Sequence, residues 1–201
     1  MQRKIFDVLA SAVGLVLVVV LLVAGGLLTW GYGFTTSNVH NQLAKQDIVF
    51  PTKAQFAQAK AGTEVTPAMI PYIAQYAGLP LTTGAQAEAY ADHFIAVHLS
   101  EMPYGGVYSK VSAASRANPS NTALAAEVQT TFQGTTLRGL LLEAYAFSQF
   151  GMIALWGAIA AFVLAALMAL LVGLGFWHAR RTPGDKELAL HQEIERELVN
   201  A

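Results

Sequence analysis

The chain is 201 residues long, with 12 Lys and Arg against 13 Asp and Glu; 12% of residues are charged and 54% hydrophobic. A soluble domain carries about 25% charged residues, so the composition argues against an ordinary soluble fold. Near-neutral charge without a basic stripe excludes nucleic acid as a partner. The absence of cysteine excludes a disulfide framework and any thiol nucleophile.

The charge deficit sits in two blocks. Val8 to Trp30 is uncharged, 23 residues that as a helix measure about 34 Å and cross a hydrocarbon core of about 30 Å. A cleaved signal peptide is the competing reading, but its apolar region is about 7–15 residues and no A-x-A site follows here. Residues 1–34 are therefore expected to form a retained membrane anchor. Ala144 to Trp177 is a second uncharged stretch, and residues 136–181 are expected to form a second transmembrane helix with an outer extension. Arg3 and Lys4 precede the first span and Arg180, Arg181 and Lys186 follow the second. The positive-inside rule then puts both termini in the cytoplasm and residues 35–135 outside the cell membrane.

Between the spans, "TTSNVHNQLAKQDIVFP" predicts that the first helix continues past the bilayer and then yields to a β-like run, Ile48 to Phe50. "VTPAMIPYIAQYAG" predicts a helix capped by Thr66, opened by Pro67 and stopped by Gly78. "TTGAQAEAYADHFIAVHLSEM" is the strongest outer helix, with Ala87, Tyr90, Ala91, Phe94, Ile95, His98 and Leu99 at three- and four-residue steps. A short helix ends before Pro119, and Ser120 or Asn121 caps the helix that leads into the second span. The expected fold is an all-α membrane protein: two transmembrane helices flanking a mostly helical extracytoplasmic domain of about 100 residues. Residues 182–201 form a cytoplasmic tail. Leu190, Ile194 and Leu198 give it an apolar stripe, read either as the edge of a solvated helix or as a docking site for a partner.

Chemistry is sparse. His93 and His98 are five apart, which on a regular α-helix turns them about 140° from each other. With Glu101 they fall short of a full ligand set, so a metalloenzyme is the weakest of the readings. There is no nucleophile elbow and no glycine-rich phosphate loop, and the expectation is a protein with no catalytic residues, no cofactor and no metal. Asp7 and Glu143 lie at span edges and are read as structural, with Arg138 near enough to Glu143 for a local interaction.

"LLVAGGLLTWGYGFTTSNVHNQLAKQDIVFP", "AQAEAYADHFIAVHL" followed by "GGVYSKVSAASR", and "TLRGLLLEAYAFSQFGMIALWGAIAAF" together resemble a family of two-span membrane proteins of actinobacteria, over most of residues 20–175. Its members are often labelled aromatic ring-opening dioxygenases. That chemistry needs two histidines and a carboxylate set facially on iron, which this spacing does not present. What the resemblance implies is the topology and an actinobacterial envelope.

The second span carries a further pattern: Gly157, Ala161, Ala165, Ala169 and Gly173 place a small residue at every fourth position along one slowly drifting stripe. In lipid, close approach through small residues is a main route to helix association. The stripe is expected to be a helix-packing interface, either with Ala10, Gly14, Gly25 and Gly26 of the first span or with another membrane protein. The function this favours is a non-catalytic accessory or assembly subunit of a larger membrane complex, with an energy-transducing (respiratory) assembly as the specific candidate. Its partners would be the lipid bilayer and integral membrane proteins. The alternative is an envelope sensor or a module binding a small ligand or lipid.

Overall fold

In the computed structural model, which describes residues 3–181, the chain is built from seven α-helices joined by short 3₁₀ and π turns, with no strand among the described residues. The order is α1 (Arg3–Ala44), α2 (Lys53–Ala57), α3 (Ile70–Ile73), α4 (Gly84–Tyr90), α5 (Ala96–Glu101), α6 (Tyr108–Ala117) and α7 (Thr122–Arg181). The tail stripe Leu190, Ile194 and Leu198 lies outside the described residues. Two compact units emerge: a helix pair made of the chain up to Gly31 and from Ile153 onward, and a central unit, Tyr32–Met152.

Both α1 and α7 are long and apolar enough to cross a membrane. Only 22% and 17% of their most apolar windows are buried, so protein does not cover this surface as it would in a soluble core. Ile5, Leu9, Val16, Leu27 and Trp30 on α1, and Ile153, Trp156, Leu170 and Leu171 on α7, all stand exposed.

Within the helix pair α1 and α7 run antiparallel. A Cβ added at Gly175 would strike Ser11 Oγ, one at Gly14 would come within 2.6 Å of Val172, one at Gly25 within 2.8 Å of the Phe162 ring, and one at Gly157 within 3.2 Å of Leu28. The buried positions on α7 are Ala158, Ala161, Ala165, Val172 and Ala179; on α1 they are Ser11, Gly14, Val18 and Gly25. Each set advances by threes and fours and their combinations, the spacing that holds a seam on one side of two slightly supercoiled helices.

The central unit has its own core, in which Leu43, Phe50, Met69, Ile73, Leu81, Ala91 and Leu141 are almost wholly buried. The β-like run Ile48 to Phe50 pairs as an isolated antiparallel bridge between Val49 and Pro80, with Phe50 N–H donating to the Leu79 carbonyl at 3.0 Å and Leu81 N–H to the Ile48 carbonyl at 2.8 Å. The punctuation differs from the expectation in two places. The segment after Thr66 is three short pieces rather than one helix: Pro67 opens the first, and Pro71, one turn in, has no N–H to continue the ladder. Thr66 does not cap it, and its buried hydroxyl makes no hydrogen bond. The strongest outer helix is interrupted too: α4 passes through a π turn, Ala91–Ile95, into α5. Its start is secured by a capping box in which Thr83 and Gln86 exchange side-chain and backbone hydrogen bonds.

After α5 the chain turns through Tyr104, Gly105 and Gly106, all with positive φ near +60°. Asn121 caps α7, its Oδ1 accepting from Leu124 N–H at 3.0 Å. A Cβ at Gly106 would collide with the Leu99 carbonyl, whereas one at Gly105 would meet nothing within 4 Å. Gly105→Ala should therefore cost about 1–2 kcal/mol, the left-handed backbone penalty alone, and Gly106→Ala clearly more. Thermal unfolding of the two variants in detergent checks the order; equal losses would mean that the Leu99 contact is not formed.

Candidate functional site

The five small residues of the stripe do not share one environment. Ala161 and Ala165 are buried at 7% and 2% exposure within the helix pair, and Gly157 lies beside Leu28. Ala169 is exposed, and a Cβ on Gly173 would meet nothing within 4 Å. The cause is geometric. Four residues advance a helix about 40° beyond a full turn, so a strict four-residue repeat rotates off a fixed partner, while alternating threes and fours does not. The close approach is instead permitted largely by Gly14 and Gly25 on α1 and Gly175 on α7. Gly14→Val should lower the thermal stability of the detergent-solubilised protein through overpacking of about 1–3 kcal/mol. Gly26→Val, whose Cβ faces open space, should leave it nearly unchanged. Equal effects would show that α1 and α7 are not in this register.

In the central unit His93 and His98 are each committed to a neighbour. His93 stacks on Tyr72 with ring centroids 3.7 Å apart and planes within 5°. His98 donates its Nδ1–H to the Phe94 carbonyl at 2.8 Å, and its ring leans on Phe94. His93 lies within the π turn and His98 beyond it, so the regular α-helical rotation assumed from the spacing does not apply. Among the described residues no three His, Asp or Glu side chains converge as metal ligands. Arg138 does not pair with Glu143; it reaches Asp92 across the fold at 2.5 Å. This pair joins α7 to the π turn, a contact 46 residues apart in sequence that no local reading anticipates. Both partners are about one-third exposed, so the pair is worth about 1 kcal/mol or less.

A line of aromatic contacts runs through the central unit: Tyr76 and Tyr90 each against Phe50, then Tyr90 against Phe94. Beside it an open groove of about 270 Å³ is lined by Tyr90, Phe94, His98, Leu99, Met102, Gly134 and Leu137, with Glu64 at its edge. Gly134 opens the groove wall, since a Cβ there would press within 2.8 Å of Leu99. Most of the lining is apolar, with the His98 imidazole, the Tyr90 phenol, the Glu64 carboxylate and the Thr130 hydroxyl as the polar groups, a composition suited to a small organic ligand. Sequence periodicity marked Tyr90, Phe94 and His98 as one helix face; Glu64 and Gly134 come from elsewhere in the chain and carried no such pattern.

Burial, with a smaller contribution from the nearby Glu64 carboxylate, pushes the Tyr90 phenol up to about 12 from its ordinary 10.0. The folded state therefore holds the neutral phenol more tightly than the unfolded state does. Tyr90's contribution is complete below pH 10.0 and is lost as the pH rises toward about 12. Tyr90→Phe has no such proton to lose, and its denaturant-derived stability should fall less steeply across that interval. Parallel curves would contradict the buried phenol.

Comparison of the chain with family models, with curated proteins and with solved structures finds no match.

Proposed function

We propose that the protein is a non-catalytic accessory or assembly subunit of a larger membrane complex, anchored by α1 and α7 as its two membrane spans. The observation that carries this reading is the remainder of the small-residue stripe. Ala169 and Gly173 are left open by α1, next to the bulky exposed side chains of Leu170, Leu171 and Leu174. Small residues that admit a second backbone are the kind of surface on which another spanning helix packs.

Orientation draws on charge and pairing together. Lys4 on α1 and Arg180 on α7 come to the same end of the antiparallel pair, which supports placing both termini in the cytoplasm. The central unit then lies outside the cell membrane. An energy-transducing assembly remains the specific candidate for the complex, and the resemblance to two-span actinobacterial proteins supports the topology.

Purification in mild detergent followed by mass spectrometry tests the reading. A stoichiometric integral membrane partner is expected, and Ala169→Leu combined with Gly173→Leu should reduce its recovery several-fold without lowering the protein's own thermal stability. Recovery of the wild-type chain alone as a monomer would contradict it. The groove beside Tyr90 and His98 favours a second reading, a ligand-binding envelope sensor. Stabilisation of the full chain by a small apolar metabolite, lost in a His98→Ala variant, would support that instead.

A further inference from the structure

At the end of the helix pair where α1 begins, Lys4 and Val8 on α1 face Phe176, Ala179 and Arg180 on α7 across a cavity of about 320 Å³. Among the described residues two cations line it and no carboxylate does. The nearest acid on α1, Asp7, is turned to His178 at 3.8 Å instead. Like charges facing across a cavity repel each other unless an anion lies between them. The first turn of α1 contains no acid, although the free N–H groups at a helix start favour negative charge. A bound anion would answer both. The rest of the lining is apolar, and beside it the Arg181 guanidinium lies over the Trp177 ring at 4.1 Å, an arrangement typical of the membrane interface.

We infer that this cavity is a binding site for the phosphodiester headgroup of an anionic phospholipid, held by Lys4 and Arg180 while its acyl chains lie along Val8 and Phe176. The inference rests on α1 and α7 spanning the bilayer. Basic pockets between spanning helices on the cytoplasmic side suit such headgroups. The source is lipid rather than free phosphate because a soluble anion has no use for the apolar half of the lining.

The test reconstitutes the full chain in nanodiscs of phosphatidylcholine, with and without phosphatidylglycerol, and follows both thermal stability and retained lipid by native mass spectrometry. Phosphatidylglycerol should stabilise the wild type and be retained in preference to phosphatidylcholine. Each cation near an anionic headgroup is worth about fivefold in affinity, so Lys4→Gln with Arg180→Gln should weaken retention roughly thirtyfold. Arg181→Gln removes the same charge from outside the cavity and should cost less than Arg180→Gln. Equal losses from those two single variants, or no preference for phosphatidylglycerol, would overturn the site. Equal protection by inorganic phosphate in phosphatidylcholine discs would overturn the lipid assignment. Failure to enter nanodiscs of either kind would overturn the membrane reading itself, and the lipid site with it.

Discussion

Everything in the helix pair depends on how closely α1 and α7 approach. Both helices present bulky Leu, Val, Ile and Phe over most of their surface, and between two such helices in lipid there is little hydrophobic gain from contact, because the tails are equally apolar. What remains is dispersion, individually about 0.1–0.2 kcal/mol per atom pair and lost quickly with distance. Gly14, Gly25 and Gly175 remove the side chains that would hold the backbones apart, and Val172, Phe162 and Ser11 occupy the space this leaves. Steric fit between glycine and a larger opposing side chain sets the register.

The central unit meets a different constraint. Its core is conventional, but apart from the continuous stretch α4–π turn–α5 the segment between Phe50 and Ala117 is built from helical pieces of ten residues or fewer, too short to be stable in isolation. Packing holds them: Met69, Ile73, Ala87 and Ala91 are fully buried. Arg138 and Asp92 tie the π turn to α7, and Gly84, at the start of α4, sits so close to Ser148 that any Cβ would clash. The π turn is the local departure that this packing sustains, and it lies in the stretch that carries His93 and shapes the groove. Such turns recur at functional sites.

The legible part of this fold was the part governed by local rules. Uncharged length gave two helices able to cross a membrane, periodicity gave the helical stretch that begins at α4, and cap chemistry at Asn121 gave the start of α7. Gly78 turns with φ of +72° where a stop was expected. Other features depended on distant partners. Arg138 chose Asp92 over Glu143, and a π turn altered a rotation that spacing alone could not reveal. The small-residue stripe was visible as composition, but its division into a packed half and an open half follows from where α1 lies. No pattern within α7 encodes that.

The helix-pair register can be tested directly because the chain has no cysteine. Ser11→Cys combined with Gly175→Cys puts two thiols at the closest point of the antiparallel pair, and mild oxidation of the full-length protein in membranes should yield an intramolecular disulfide, seen as a faster-migrating band that reductant reverses. Ser11→Cys combined with Gly173→Cys, two residues along and off the seam, should remain reduced. If the second pair cross-links as readily as the first, or the first only between separate chains, then α1 and α7 do not meet along the glycine seam described here.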